Sequence, residues 1–341
     1  MFIIIIYFII FAAAFFGVKL FLRLNKKWNI LDVPNERSSH TRPTPRGGGL
    51  VIVLVSLSAY TIYTNFFTQD FSWAYFGGAI LIASISWLDD LYSIPTILRF
   101  IVHSIAALFI VIFLGDFQRV EIPVWGVFEI GLYGKILTFL WIVWLTNAYN
   151  FMDGIDGLAG TQAVTAGIGW LIVGNIIGLE TQSFYGGVIA ISSLGFLIYN
   201  WQPAKIFMGD VGSAFLGYTF AVIPLLSNKE NLINQSNLLM IGILLVWLFV
   251  FDTVFTLVRR LFRKEKIWMA HRGHLYQRLN LAGWSHVKVA ILYFLISLQI
   301  VFIVIINLKT TKFWFAAIIL ILIESFGLFV FSKIKEGKVL R

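Results

Sequence analysis

Eleven long apolar runs divide this chain: residues 2–24, 49–66, 72–88, 98–115, 134–148, 158–178, 184–199, 212–227, 238–258, 287–307 and 312–332. An α-helix needs ~17–25 such residues to cross a bilayer. In lipid only helices and closed barrels satisfy their own backbone. Of 341 residues, 59% are hydrophobic and 13% charged, against roughly a quarter charged in a soluble domain. The expected fold class is therefore all-α, a polytopic membrane protein with a single domain over residues 1–341 and about 11 transmembrane helices. The short runs 134–148 and 184–199 must borrow flanking residues or be shielded by protein. The chain has no cysteine, which excludes disulfides, zinc–thiolate sites and iron–sulfur clusters.

Lys and Arg set the orientation. Lys26, Lys27, Arg37, Arg42 and Arg46 follow the first run, Arg99 the third and Lys205 the seventh. A basic loop, 259–286, follows the ninth, and Lys333, Lys335, Lys338 and Arg341 close the chain. The opposite face carries Arg119, Lys135, Lys229, Lys309 and Lys312. Basic loops stay in the cytoplasm, so the chain is expected to run N-out and C-in. The first run has its basic residues after it, the reverse of a cleavable signal peptide, and is expected to remain as a helix.

With that orientation the polar clusters fall on the cytoplasmic face: "DVPNERSSHTRPTPRGGG", "SWLDDLYSIP", "NAYNFMDGIDGLAG", "YNWQPAKIFMGDVGS" and "WMAHRGHLYQRL". Asp89 and Asp90 stand where a helix ends, and its partial negative charge disfavours carboxylates. The pair needs a cation nearby, either a metal or Lys/Arg. Asp210 is also where an ordinary N-cap would stand. Gly154 and Gly157 suit a turn. Gly47, Gly48 and Gly49 suit either close helix packing or a phosphate cradle. His40, His271 and His274 are either solvated loop histidines or, with Arg272 and Arg278, part of a basic site. Asp252 lies inside the ninth run, where an acid faces a partner or a cavity. A structural pairing with a basic residue is its plain reading. Glu324 and the acidic connector 116–133 receive no role.

Hard cations take oxygen ligands, commonly one or two carboxylates with substrate phosphate completing the shell. Asp89, Asp90, Asn150, Asp153, Asp156 and Asp210 can supply such oxygens, and the nearby Arg and His suit phosphates. Acids for a metal and bases for phosphate at a membrane surface point to phosphoryl transfer involving a lipid.

The five motifs, in this order and on these loops, resemble those of bacterial polyprenyl-phosphate N-acetylhexosamine-1-phosphate transferases, the WecA/MraY superfamily of glycosyltransferase family 4. The resemblance extends over nearly the whole chain and is nearest to the WecA- and WbpL-like enzymes that initiate O-antigen. Eleven spans match that branch, while the MraY branch has ten and a longer histidine run in the later loop. The resemblance implies transfer of a sugar-1-phosphate from a UDP-N-acetylhexosamine (GlcNAc, FucNAc or QuiNAc type) to undecaprenyl phosphate, releasing UMP, at the bacterial inner membrane. It implies Mg²⁺, with Mn²⁺ as a substitute, held by Asn150 and Asp210. Asp89 and Asp90 match the family's catalytic pair. Arg99 stands where the family often has a lysine for the lipid phosphate. Arg42, Asp153, Asp156, His271, Arg272 and His274 match nucleotide-sugar-binding positions. No nucleic-acid partner is implied, and a homodimer is compatible. Two rival classes are a membrane transporter and an intramembrane Mg²⁺-dependent prenyltransferase. One-sided polar loops without an inverted repeat oppose the first. The pairing of "DGIDGL" with "HRGHLYQRL" opposes the second.

Overall fold

The computed structural model describes residues 2–28, 30–34, 39, 41–122, 125–226, 237–266, 271–310 and 314–339. His40 and part of loop 259–286 lie outside them. The helices are α1 (Phe2–Trp28), α2 (Gly49–Tyr63), α3 (Trp73–Tyr92), α4 (Thr96–Phe109), α5 (Leu132–Phe151), α6 (Leu158–Ile177), α7 (Glu180–Asn200) and α8 (Asp210–Val222). They continue with α9 (Leu238–Leu245), α10 (Trp247–Phe262), α11 (Leu275–Leu281), α12 (His286–Thr310) and α13 (Trp314–Val339). Two short antiparallel ribbons are the described strands: β1 (Leu31–Asp32) with β2 (Thr44–Pro45), and β3 (Arg119–Ile122) with β4 (Gly126–Glu129).

The all-α expectation holds, and each of the eleven apolar runs falls on helix. By length and composition, seven described helices can cross a membrane, or eight when α9 and α10 count as one bent span. α3, α5 and α8 fall short of that measure. The two short runs do borrow flanking residues, since α5 has 20 residues and α7 has 21. The expectation of one continuous ninth helix over 238–258 is corrected. The chain bends by 80° between α9 and α10. Such a break frees a carbonyl inside an apolar core, and the buried Gln162 amide serves it, donating to Leu245 O at 2.9 Å. Ser297 Oγ in turn donates to Gln162 Oε1 at 3.0 Å.

The buried centre is α6, α7 and α8, with α1 and α2 on α7, α3 and α5 on α8, and α12 on α6. Lipid gives helices no hydrophobic reason to associate, so close approach must come from small residues. A Cβ on Gly167 of α6 would stand 2.6 Å from Gly186 O of α7. A Cβ on Gly49 of α2 would stand 2.3 Å from the Gly212 Cα of α8. These contacts fix how the loops meet at one end of the bundle.

Candidate active site

The polar end is organised around the start of α8. Gly209 has φ +77, and a Cβ there would meet Asp90 Oδ2 at 2.5 Å, so only glycine fits. The turn exposes the first amides of α8 to Asp90. Asp210 N donates to Asp90 Oδ1 at 2.9 Å and Val211 N to Asp90 Oδ2 at 3.1 Å. Asp90 thus caps α8 from the far end of α3, where a helix N-terminus favours a carboxylate. Asp89 turns the other way and accepts from Ile94 N at 2.6 Å.

Two arginines supply the cation that adjacent acids at a helix end require. Arg46 places Nε 2.6 Å from Asp90 Oδ1 and Nη2 2.6 Å from Asp210 Oδ1. Arg99, in the first turns of α4, places Nη1 2.6 Å from Asp89 Oδ2 and 2.7 Å from Asp210 Oδ2. Asp210 therefore holds one guanidinium on each oxygen. Asn150, at the end of α5, donates from Nδ2 to Asp210 Oδ2 at 3.1 Å and accepts from Ser213 Oγ at 2.7 Å. The structure brings Asp89, Asp90, Arg99, Asn150 and Asp210 into one contiguous cluster.

Burial raises the Asp89 carboxyl to about 6 and Asp90 to about 7, against the pull of Arg99 and Arg46 respectively. Burial also opposes the charge on Asp210, but Arg46, Asp89, Arg99 and Asn150 together hold it below the usual carboxylate range. Ionisation of the cluster is thereby concentrated on Asp210.

A cavity of about 350 Å³ opens beside this cluster. Asp153 and Asp156 line it, as do Asn150 and Asp210. Burial, reinforced by Asp210, raises the Asp153 carboxyl well above its ordinary value. Asp156 also ties loops together, accepting from Ala204 N at 3.1 Å and lying 3.3 Å from His286 Nδ1. Arg42 is exposed, and neither it nor His271, Arg272 or His274 is among the described lining residues. Burial and the neighbouring His274, Arg260 and Arg259 lower His271 to about 4, so it is neutral near pH 7.

The later loop is positioned by Asp252. Its carboxylate accepts from Leu275 N at 2.8 Å, Tyr276 N at 3.3 Å and Tyr293 OH at 2.9 Å, with His274 Nδ1 at 3.2 Å. The intramembrane acid is thus structural, as its plain reading held, and it anchors the start of α11. Tyr276 OH then donates to Phe151 O at 2.9 Å, fastening α11 to the turn after α5.

Arg46, Asp32, Asn200 and Gln277 also line the cavity and were not singled out from sequence. All lie inside quoted motifs, so the motifs were the available signal. Which member of each points inward depends on packing. The two readings of the glycine run are separated as well. Gly48 N and Gly49 N donate to Phe207 O and Met208 O, at 3.0 and 2.8 Å, so these amides serve the chain itself. Close packing is the reading they support.

No three His, Asp or Glu side chains among the described residues converge as a metal cage. Mg²⁺ held by one or two protein oxygens and substrate phosphates needs none. An anionic Asp210 beside Asn150, 16% exposed toward the cavity, fits that donor set.

The chain is similar in sequence to known proteins. The profile of glycosyl transferase family 4 matches residues 72–228. A protein of Bacillus subtilis (strain 168), called a probable undecaprenyl-phosphate N-acetylglucosaminyl 1-phosphate transferase, is 33% identical over 309 residues, 89% of this chain and 84% of that one. A decaprenyl-phosphate N-acetylglucosaminephosphotransferase of Mycobacterium leprae (strain TN) is 31% identical over 290 residues, 77% of this chain and 73% of its own. A phospho-N-acetylmuramoyl-pentapeptide-transferase of Lactiplantibacillus plantarum is 31% identical over 185 residues, 53% of this chain and 54% of its own. The chain belongs to glycosyl transferase family 4, as a multi-pass membrane enzyme of the WecA/MraY superfamily.

Proposed function

We propose that the protein transfers an N-acetylhexosamine-1-phosphate from its UDP derivative to undecaprenyl phosphate at the cytoplasmic face of a bacterial inner membrane. UMP leaves, and the lipid-diphosphate sugar begins an O-antigen or other cell-envelope polysaccharide. The observation that carries this reading is the Asp210 carboxylate with a guanidinium on each oxygen at 2.6 and 2.7 Å, beside a cavity open to the loops. The names of the Bacillus and Mycobacterium relatives support transfer to a polyprenyl phosphate.

The acceptor is a phosphate monoester whose second pKa is ~6, so it is largely ionised near neutral pH and needs orientation more than activation. One of its oxygens bonds to the sugar-bearing phosphorus. The bridging P–O bond breaks, and its electron pair leaves on UMP. Arg99, at the start of α4, orients the lipid phosphate. Its Nε is buried without a hydrogen-bond partner among the described residues, a donor directed at an acceptor yet to arrive. Asp90, with no side-chain exposure and three donors on its carboxylate, orients α8 and Asp210. Asp89 is more accessible, at 11%, and is the better placed of the two to take a proton from the acceptor. Asp210 and Asn150 would hold Mg²⁺, which would supply charge neutralisation on the donor diphosphate.

Membranes containing the protein, given labelled UDP-N-acetylhexosamines and undecaprenyl phosphate, should form a lipid-extractable product and UMP in equal amounts. No such product from any of these donors would remove the reading. The cysteine-free chain also tests orientation directly. Single cysteines at Ser285 and Gln69 should react with an impermeant reagent from opposite sides of the membrane, Gln69 from outside.

A further inference from the structure

We infer that Arg46 is the side chain that grips the diphosphate of the nucleotide sugar, leaving Arg99 to the lipid phosphate. This rests on the transferase reading and goes beyond it. The resemblance places nucleotide-sugar binding on Arg42, Asp153, Asp156, His271, Arg272 and His274, and gives Arg46 no role.

The first argument is charge. The described cavity lining includes four carboxylates, those of Asp32, Asp153, Asp156 and Asp210. Arg46 is the basic residue among them, and no other described lining residue is Lys, Arg or His. A diphosphate entering so acidic a space needs positive charge on its wall as well as a metal. The Arg46 guanidinium is paired with Asp90 and Asp210, each at 2.6 Å, on the wall of this space.

The second argument is rigidity. Arg46 N donates to Ile30 O and Asn25 Nδ2 donates to Arg46 O, each at 3.2 Å. Phe207 N donates to Pro45 O at 2.8 Å on one side, and Gly48 N to Phe207 O at 3.0 Å on the other. The backbone beneath the guanidinium is thus stitched to the loop before α8. Asp90 on Nε and Asp210 on Nη2 fix the plane of the guanidinium, so it loses little freedom when a phosphate oxygen reaches it.

The third argument is the division of space. Arg46 and Arg99 lie on different oxygens of Asp210, and only Arg46 lines the cavity. Arg99 stands in the first turn of α4, at the start of the candidate span Thr96–Leu114. Two phosphate-bearing substrates, one soluble and one in lipid, thus meet one guanidinium each, with Asp210 between them. His274 is engaged by Asp252 and His271 is neutral near pH 7, which leaves these two histidines poorly suited to be the principal cationic grip.

The test compares UDP with uridine, without any lipid acceptor. Equilibrium dialysis at fixed Mg²⁺ measures binding of labelled UDP and, separately, labelled uridine to the purified full-length protein. Arg46→Ala should weaken UDP about 10- to 100-fold, the range of a lost charge-assisted contact, while uridine changes less than about 3-fold. Arg46→Lys keeps the charge and loses the fork; it should fall between, and it carries the test if the alanine variant does not fold. Equal loss of UDP and uridine would mean that Arg46 only maintains the loop and would overturn the inference, as would unchanged UDP binding. A wild-type protein that bound neither compound would remove the transferase reading itself, whereas UDP binding without transferase activity would remove that reading alone.

Discussion

The α3–α8 helix pair carries a polar cluster at each end, built from opposite materials. At the end where α8 begins, the groups are ions: Asp89, Asp90 and Asp210 with Arg46 and Arg99. Toward the other end they are neutral hydroxyls. Tyr75 OH of α3 lies 2.5 Å from Tyr185 OH and 3.0 Å from Thr219 Oγ1 of α8. The Tyr60 ring packs edge-on against Tyr75, and Tyr60 OH accepts from Ser72 N at 3.1 Å. The hydroxyl cluster is closed, and its rings fill the core. The ionic cluster adjoins a cavity and keeps charge within reach of a ligand. Neutral hydrogen bonds suffice to fasten helices in an apolar medium. Buried charge is costly and needs a partner or a cavity.

The comparison can be broken from either side. Asp210→Asn should lower transferase activity by about 10³-fold, the order seen when a preorganised electrostatic group is removed, with little change in thermal unfolding. A variant with near wild-type turnover would make the ionic end structural too. Chelation of divalent cations should abolish activity, and Mg²⁺ or Mn²⁺ should restore it; full turnover in metal-free buffer would leave Asp210 without its proposed task. Arg99→Ala should raise the KM for undecaprenyl phosphate about 10-fold or more, with a smaller effect on the KM for the UDP-sugar. Arg99→Lys should keep much of the activity, and unchanged lipid kinetics in the alanine variant would reduce Arg99 to a membrane-edge marker. At the hydroxyl end, Tyr75→Phe should cost about 1–2 kcal/mol of stability and leave kcat unchanged. A large loss of turnover there would show that the two ends are coupled through α3 and α8.

Much of the ionic end was legible beforehand because its residues violate local rules. Acids at the C-terminal end of a helix and a carboxylate inside an apolar run are expensive, so each signals a partner. The sequence does not disclose which partner. Asp90 proved to cap a helix 120 positions away, and Asp252 to anchor a loop that periodicity assigns no fixed place. The bend at Val246 was equally hidden. The run 238–258 is apolar on both sides of the break, and the amide that serves the freed carbonyl comes from Gln162 on another helix. Arg46 was visible only as a topology marker. A basic residue in the first loop already has a reading under the positive-inside rule, so its place against Asp90 and Asp210 required coordinates.

The contact between Gly49 and Gly212 has a bearing on which sequences can carry this site. Arg46 lies three positions before one glycine and Asp210 two before the other, so the spacing of guanidinium and carboxylate is inherited from two backbones in direct touch. A methyl group at Gly49 must displace α8 or be displaced by it, since its Cβ would lie 2.3 Å from Gly212 Cα. Drift in the geometry of the Arg46–Asp210 pair can therefore enter through a residue outside the ionic cluster. Mutational tolerance should accordingly be lower at these two glycines than at several charged positions on the loops, and an inhibitor seated against the Arg46–Asp210 pair would meet a gauge that escape variants cannot easily widen.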